Sequence, residues 1–157
     1  MSVSPDDFRN ALSRFASGVT VITTRDGKGR LHGLTVSAFA SVSLEPPLVL
    51  ISIEKATASH HAFLESGIFA VNILAVEQQA LSDHFASPLE DKFEGVKIEM
   101  SENDLPHLDG ALCSLDCTLK QSYDGGDHTI FVGEVEHSKV SDGDPLLYFR
   151  SVYRELA

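Results

Sequence analysis

The chain has 157 residues, 43% of them apolar and 22% charged, a balance that suits one packed domain over 1–157 and argues against disorder. No apolar run approaches the ~20 residues of a membrane helix, and the opening MSVSPDDFRN lacks the basic and apolar regions of a secretory signal, so a soluble, cytoplasmic protein with no membrane partner is expected. The net charge of -11 is concentrated in residues 83–144, fifteen acidic against four basic side chains, and an acidic face of that size excludes nucleic acid as a general partner by repelling phosphodiester backbones.

Residues 5–16 predict a helix: Ser4 caps it, Pro5 suits the first helical position, Asp6 and Asp7 meet the positive end of the dipole, and Phe8, Leu12 and Phe15 share a face. Gly18 is expected to stop it. Val19–Thr24 is β-branched throughout and reads as a strand, 26–29 as a turn, and Leu31 as the start of the return strand. Residues 34–44 alternate strictly and predict one strand, with Leu34, Val36, Ala38, Ala40, Val42 and Leu44 on one face and Thr35, Ser37, Phe39, Ser41 and Ser43 on the other. Pro46-Pro47 ends it, and Leu48–Ile53 starts another.

Residues 57–66 predict a helix capped by Thr57 or Ser59 and stopped by Gly67. Ile68–Leu74 reads as a buried strand, 76–85 as a short helix, and the acidic, aperiodic 86–109 as mostly loop. Strands follow near 111–122, 128–140 and 146–149, then a short tail. Six or more strands with three short helices and connections too short for parallel crossovers fit an antiparallel barrel with helices outside it.

Cys113 and Cys117 on one strand face would lie ~13 Å apart, beyond the reach of a direct disulfide. The seven histidines give no recognised metal spacing, so no metal site is expected. The glycine-rich segment 27–33 (GKGRLHG) opens a hairpin rather than a helix, which rules out a Rossmann fingerprint. The hydroxyl row Thr35, Ser37, Ser41, Ser43 suits either a solvated strand face or a row of contacts along a polyhydroxyl or heteroaromatic ligand. Thr57 and Ser59 beside Lys55 suit either plain helix capping or a phosphate site. His128 follows a Gly-Gly turn at a strand start, where a barrel rim would place it.

Beyond these patterns, FRNALSRFASGVTVITT (8–24), GLTVSAFASVSLEPPLVLISI (33–53), FAVNIL (69–74), GDHTIFVGEV (126–135) and DPLLYF (144–149) with Tyr153 resemble, in order, the short-chain flavin reductases, the reductase components of two-component flavin-dependent monooxygenases. The resemblance implies an antiparallel split β-barrel, a homodimer, and hydride transfer from NADH or NADPH to FMN or FAD without a Rossmann domain. It also implies delivery of reduced flavin to a monooxygenase component. It places Thr35, Val36 and Ser37 against the isoalloxazine and ribityl chain, with Ser52 and Ile53 following. Lys55, Thr57 and Ser59 fall at the flavin phosphate, and His84, Phe85 and Ala86 in the segment closing on the flavin. His128 falls at the nicotinamide as the catalytic residue, with Tyr148 and Tyr153 bordering that cleft. The competing readings are a non-catalytic flavin-binding or storage module and a split-barrel oxidase of the pyridoxine phosphate type.

Overall fold

The computed structural model describes residues 1–157. In chain order it contains α1 (Pro5–Leu12), β1 (Ser17–Gly18), β2 (Thr20–Arg25), β3 (Leu31–Val36), β4 (Phe39–Ser43), β5 (Leu48–Glu54), α2 (His60–Ser66), β6 (Ile68–Ile73), a 3-10 turn (Val76–Gln78), α3 (Gln79–Phe85), β7 (Ile98–Met100), β8 (Pro106–Leu108), β9 (Cys113–Gly125), β10 (His128–Val140), β11 (Leu147–Phe149) and β12 (Val152–Arg154). No helix is long and apolar enough to cross a membrane.

Seven strands form one sheet in the order β3-β2-β6-β9-β10-β5-β4, and each neighbouring pair is antiparallel. The two edge strands, β3 and β4, are consecutive in sequence and joined only by Ser37 and Ala38. The three Cα–Cα steps from Val36 to Phe39 span at most ~11 Å, so the sheet must curl until its edges meet. β3 and β4 do not pair with each other, which leaves the barrel split along that seam. This is the antiparallel split barrel expected from the sequence.

The barrel interior is packed by Ile22, Leu34, Ile51, Ile53, Phe63, Phe69, Val71 and Phe131, among others. A second cluster, including Val21, Leu74, Phe85, Leu108 and Leu146, covers the outside of the same wall. β2 therefore has both faces covered and is buried from Thr20 to Thr24, which is why it reads as a continuous β-branched run.

Several local expectations need correction. α1 is capped by the Ser4 side chain but ends at Leu12, where the Ser13 hydroxyl donates to the Asn10 carbonyl. Gly18 lies in β1 opposite Leu147. The single strand expected over 34–44 is two, and the break at the seam exchanges the faces. Phe39 packs on the core, whereas Ala40, Val42 and Leu44 are exposed. Segment 86–109 contains the β7–β8 hairpin, anchored where the Thr23 hydroxyl donates to Pro106 O and the buried Asn72 side chain accepts from Leu108 N. The tail after β11 returns as β12. Both cysteines are free, and burial pushes the Cys117 thiol up to about 12.

Candidate functional site

A cavity of about 1160 Å³ opens beside the seam, walled by the 26–30 hairpin, β3, the end of β5, the segment entering α2, and residues 85–93. Ten of the fourteen residues singled out from the sequence line it: Thr35, Val36, Ser37, Ser52, Ile53, Thr57, Ser59, Phe85, Ala86 and His128. The seam explains this convergence, because it brings the end of β3 against β5 although they lie at different ends of the hydrogen-bonded sheet. Ala38 O accepts from Ser52 N at 3.1 Å. Val36 and Ile53 are buried in the core and underlie the cavity floor. The Thr35 hydroxyl donates to Ser82 O at 2.6 Å and ties β3 to α3. Ser37, Ser52 and Thr57 line the cavity, and their hydroxyls have no partner in the chain. Ser41 and Ser43 lie beyond the break, so the hydroxyl row does not continue along the wall.

One end of the cavity is organised around His32, whose side chain is nearly buried. Its Nε2 lies 2.9 Å from Asp26 Oδ2 and its Nδ1 3.1 Å from Ser59 Oγ. Asp26 Oδ1 also accepts from Lys28 N and Arg30 N, which fixes the tight hairpin. The hydrogen bond with His32 leads in holding the Asp26 carboxyl down to about 2, against the upward pull of burial. Lys28 and Arg30 project from this hairpin at the cavity wall with no ion pair of their own. The His61 ring meets His32 edge-on at 5.8 Å between centroids. Ser59 precedes α2 but its hydroxyl makes no capping bond to the helix; it is directed to His32 instead.

The opposite wall is apolar, built from Phe85, Phe93, Pro88 and Leu89. Lys92 secures it: its Nζ donates to Gly33 O at 3.1 Å and Phe85 O at 2.9 Å, and burial lowers its pKa. His84 Nε2 donates to Lys92 O at 2.6 Å, behind the wall. Gly33 is required here, because a Cβ would sit 2.8 Å from Phe85 and 3.1 Å from Phe93. At the rim, His128 Nδ1 donates to Asp127 Oδ1 at 2.7 Å, a bond that lowers the Asp127 pKa and leaves Nε2 free.

Four of the singled-out residues do not line the cavity. Lys55 bonds Asp124 and Gly126 O across the β9–β10 turn. His84 acts through Lys92. Tyr148 and Tyr153 meet edge-on at 5.3 Å between centroids on β11 and β12, where the Tyr153 hydroxyl bonds Ser82 and Asp83 of α3. Sequence reasoning missed Lys28, Arg30, His32 and His61. The signal for the first three was present in GKGRLHG, two cations and a histidine on a tight hairpin, once the dinucleotide fingerprint is set aside; His61, on α2, had none.

A phosphorylated, partly aromatic ligand fits this arrangement. The cavity joins an apolar wall to free hydroxyls, and two unpaired cations stand at one end of an otherwise acidic protein.

Residues 12–157 match the family model of the flavin reductase like domain. The chain is 41% identical over 156 residues to an NADH-dependent flavin reductase of Rhodococcus, covering 98% of this chain and 88% of that protein. It is 42% identical to the reductase component of the flavin-dependent trigonelline monooxygenase of Acinetobacter baylyi, covering 94% of this chain but 47% of that longer protein. Among solved structures it superimposes with a TM-score of 0.93 and 34% identity on an NADH:FAD oxidoreductase of Streptomyces globisporus in complex with NAD and FAD fragments, covering 100% of this chain and 97% of that one.

Proposed function

The chain belongs to the flavin reductase like family and is an oxidoreductase of the flavin reductase type, and from that premise we propose that its cavity binds FMN or FAD, takes NADH as reductant, and supplies reduced flavin to a separate monooxygenase component. The observation that carries this reading is the cavity at the barrel seam, with its apolar wall, its free hydroxyls and its cationic end. When bound, flavin supplies the redox centre that accepts a hydride from the reduced nicotinamide. The protein's contribution is placement. The backbone at Val36 and Ile53, whose side chains are buried in the core, offers a flat contact, and Ser37 and Ser52 offer hydroxyls along the wall. Thr57, Ser59, Lys28 and Arg30 hold the phosphate, and Phe85 and Ala86 exclude water from the far side. His128 keeps its Nδ1 proton toward Asp127 and uses Nε2 to orient the nicotinamide.

A homodimer belongs to the same proposal. Ala40, Val42 and Leu44 on β4, with Phe8, Leu12 and Phe15 near α1, leave apolar side chains exposed on a lone chain. Sedimentation of the purified protein should give twice the chain mass.

The deciding experiment measures NADH and NADPH oxidation with FMN, FAD or no added flavin. NADH consumption dependent on flavin is expected. Flavin binding without consumption of either nicotinamide would leave a storage module in its place.

A further inference from the structure

The His32–Ser59 contact has a direction that depends on protonation. Asp26 is ionised across the neutral range and can only accept, so His32 Nε2 carries a hydrogen and donates to it. In the neutral ring Nδ1 is then an acceptor, and the Ser59 hydroxyl at 3.1 Å must spend its only proton on it. Ser59 in that state has no proton for an anion in the cavity. In the imidazolium both nitrogens donate, Nδ1–H points at the Ser59 oxygen, and the Ser59 proton is released toward the cavity that its side chain lines.

We propose that His32 is a positioning residue that couples phosphate binding to proton uptake: an anionic phosphate at Ser59 draws a proton onto His32, and the ring in turn hands Ser59 to the ligand as a donor. This rests on the reading of the cavity as a flavin site only for the identity of the phosphate's carrier. The groups around His32 suit the role. Asp26 on the hairpin accepts from Nε2 in either protonation state of the ring. Lys28 and Arg30 on the same hairpin line the cavity where an anion would sit. From α2, His61 presents a ring edge, and Glu65 lines the same cavity. The Lys92 amine is turned away onto backbone carbonyls.

The test is calorimetric titration of the full chain with FMN and with riboflavin near neutral pH, in buffers of different ionisation enthalpy. FMN should bind with net proton uptake and riboflavin with none. FMN affinity should rise as pH falls through the imidazole range, by up to about tenfold per pH unit for one linked proton. His32→Gln keeps an amide donor for Asp26 but has no proton to gain. It should abolish the uptake and weaken FMN by about tenfold while riboflavin stays within about twofold. Ser59→Ala leaves the histidine pair intact and serves if the first variant does not fold; it should also lose the uptake. His61→Gln should keep it, which separates the two rings. FMN binding with no proton uptake in the wild type, or uptake that survives both His32→Gln and Ser59→Ala, overturns the relay and leaves the flavin site standing. Failure of FMN, FAD and riboflavin alike to bind overturns the relay and the flavin reading together.

Discussion

His32 with Asp26 and His107 with Asp116 join the same two side chains at 2.9 and 2.6 Å, but they serve different regions of the molecule. Asp116 lies on β9 with its side chain 1% exposed, and it also accepts from Asn103 Nδ2. His107 lies on β8, so the pair fastens the β7–β8 hairpin to the barrel wall. Asp26 sits on a surface hairpin, and the second nitrogen of its histidine reaches a hydroxyl that lines the main cavity. The difference teaches that a histidine–carboxylate pair gains a functional meaning from what the far nitrogen touches, and a structural one from how deeply the carboxylate is buried.

The largest expected effect comes from breaking the buried pair. His107→Ala strands the Asp116 carboxylate away from water and should cost about 3–5 kcal/mol of stability in urea unfolding. FMN affinity of the folded fraction should stay unchanged; a loss of affinity there would erase the contrast between the regions. The same carboxylate should govern acid stability. Burial is the strongest single influence on Asp116 and raises its pKa, yet hydrogen bonds from His107, Ser101 and Asn103 outweigh it and hold the group below the ordinary value. A folded value below the unfolded one means that the stabilisation is complete above the unfolded carboxyl range near about pH 4 and is lost as pH falls through the lower folded value. The urea midpoint should drop in acid for the wild type, and Asp116→Asn should flatten that drop.

How far such regions are legible in sequence depends on whether the signal is local. The β-branched run of β2, the Ser4-Pro5 start of α1 and the Gly67 stop, observed with φ of 71°, are local chemistry and could be read directly. The split of 34–44 could not, because its alternation is unbroken. Only the demand that the chain cross from one sheet edge to the other creates the break at Ser37–Ala38. Most of the cavity lining followed from family motifs, since spacing alone left Thr57 and Ser59 undecided between cap and ligand site. The His32 clamp joins positions 26, 32 and 59 through the barrel, a juxtaposition that no spacing rule encodes.

A smaller effect should come from the cavity wall. Gly33→Ala places a methyl group against the rings of Phe85 and Phe93, and overpacking of this kind costs about 1–3 kcal/mol. The rings must shift toward or away from the cavity, so flavin affinity should fall along with stability. Here the two readouts move together, whereas at His107 they separate. A Gly33→Ala protein with native flavin affinity would show that Phe85 and Phe93 do not shape the binding wall.

The smallest effect on stability belongs to a third pair, His128 with Asp127, at the cavity rim. The Asp127 side chain is 86% exposed and that of His128 41%, so water screens the bond and its loss should leave the urea midpoint unmoved. Its consequence should be kinetic. If the rim ring orients the nicotinamide as proposed, His128→Ala should lower NADH oxidation by about tenfold with flavin affinity within about twofold. Asp127→Ala removes only the partner that fixes the Nδ1 proton, and the ring stays free to sample the same pose, so turnover should fall less, by about two- to threefold. Equal losses in the two variants would mean that the carboxylate itself does the positioning. Unchanged turnover in His128→Ala would move the nicotinamide contact elsewhere on the rim.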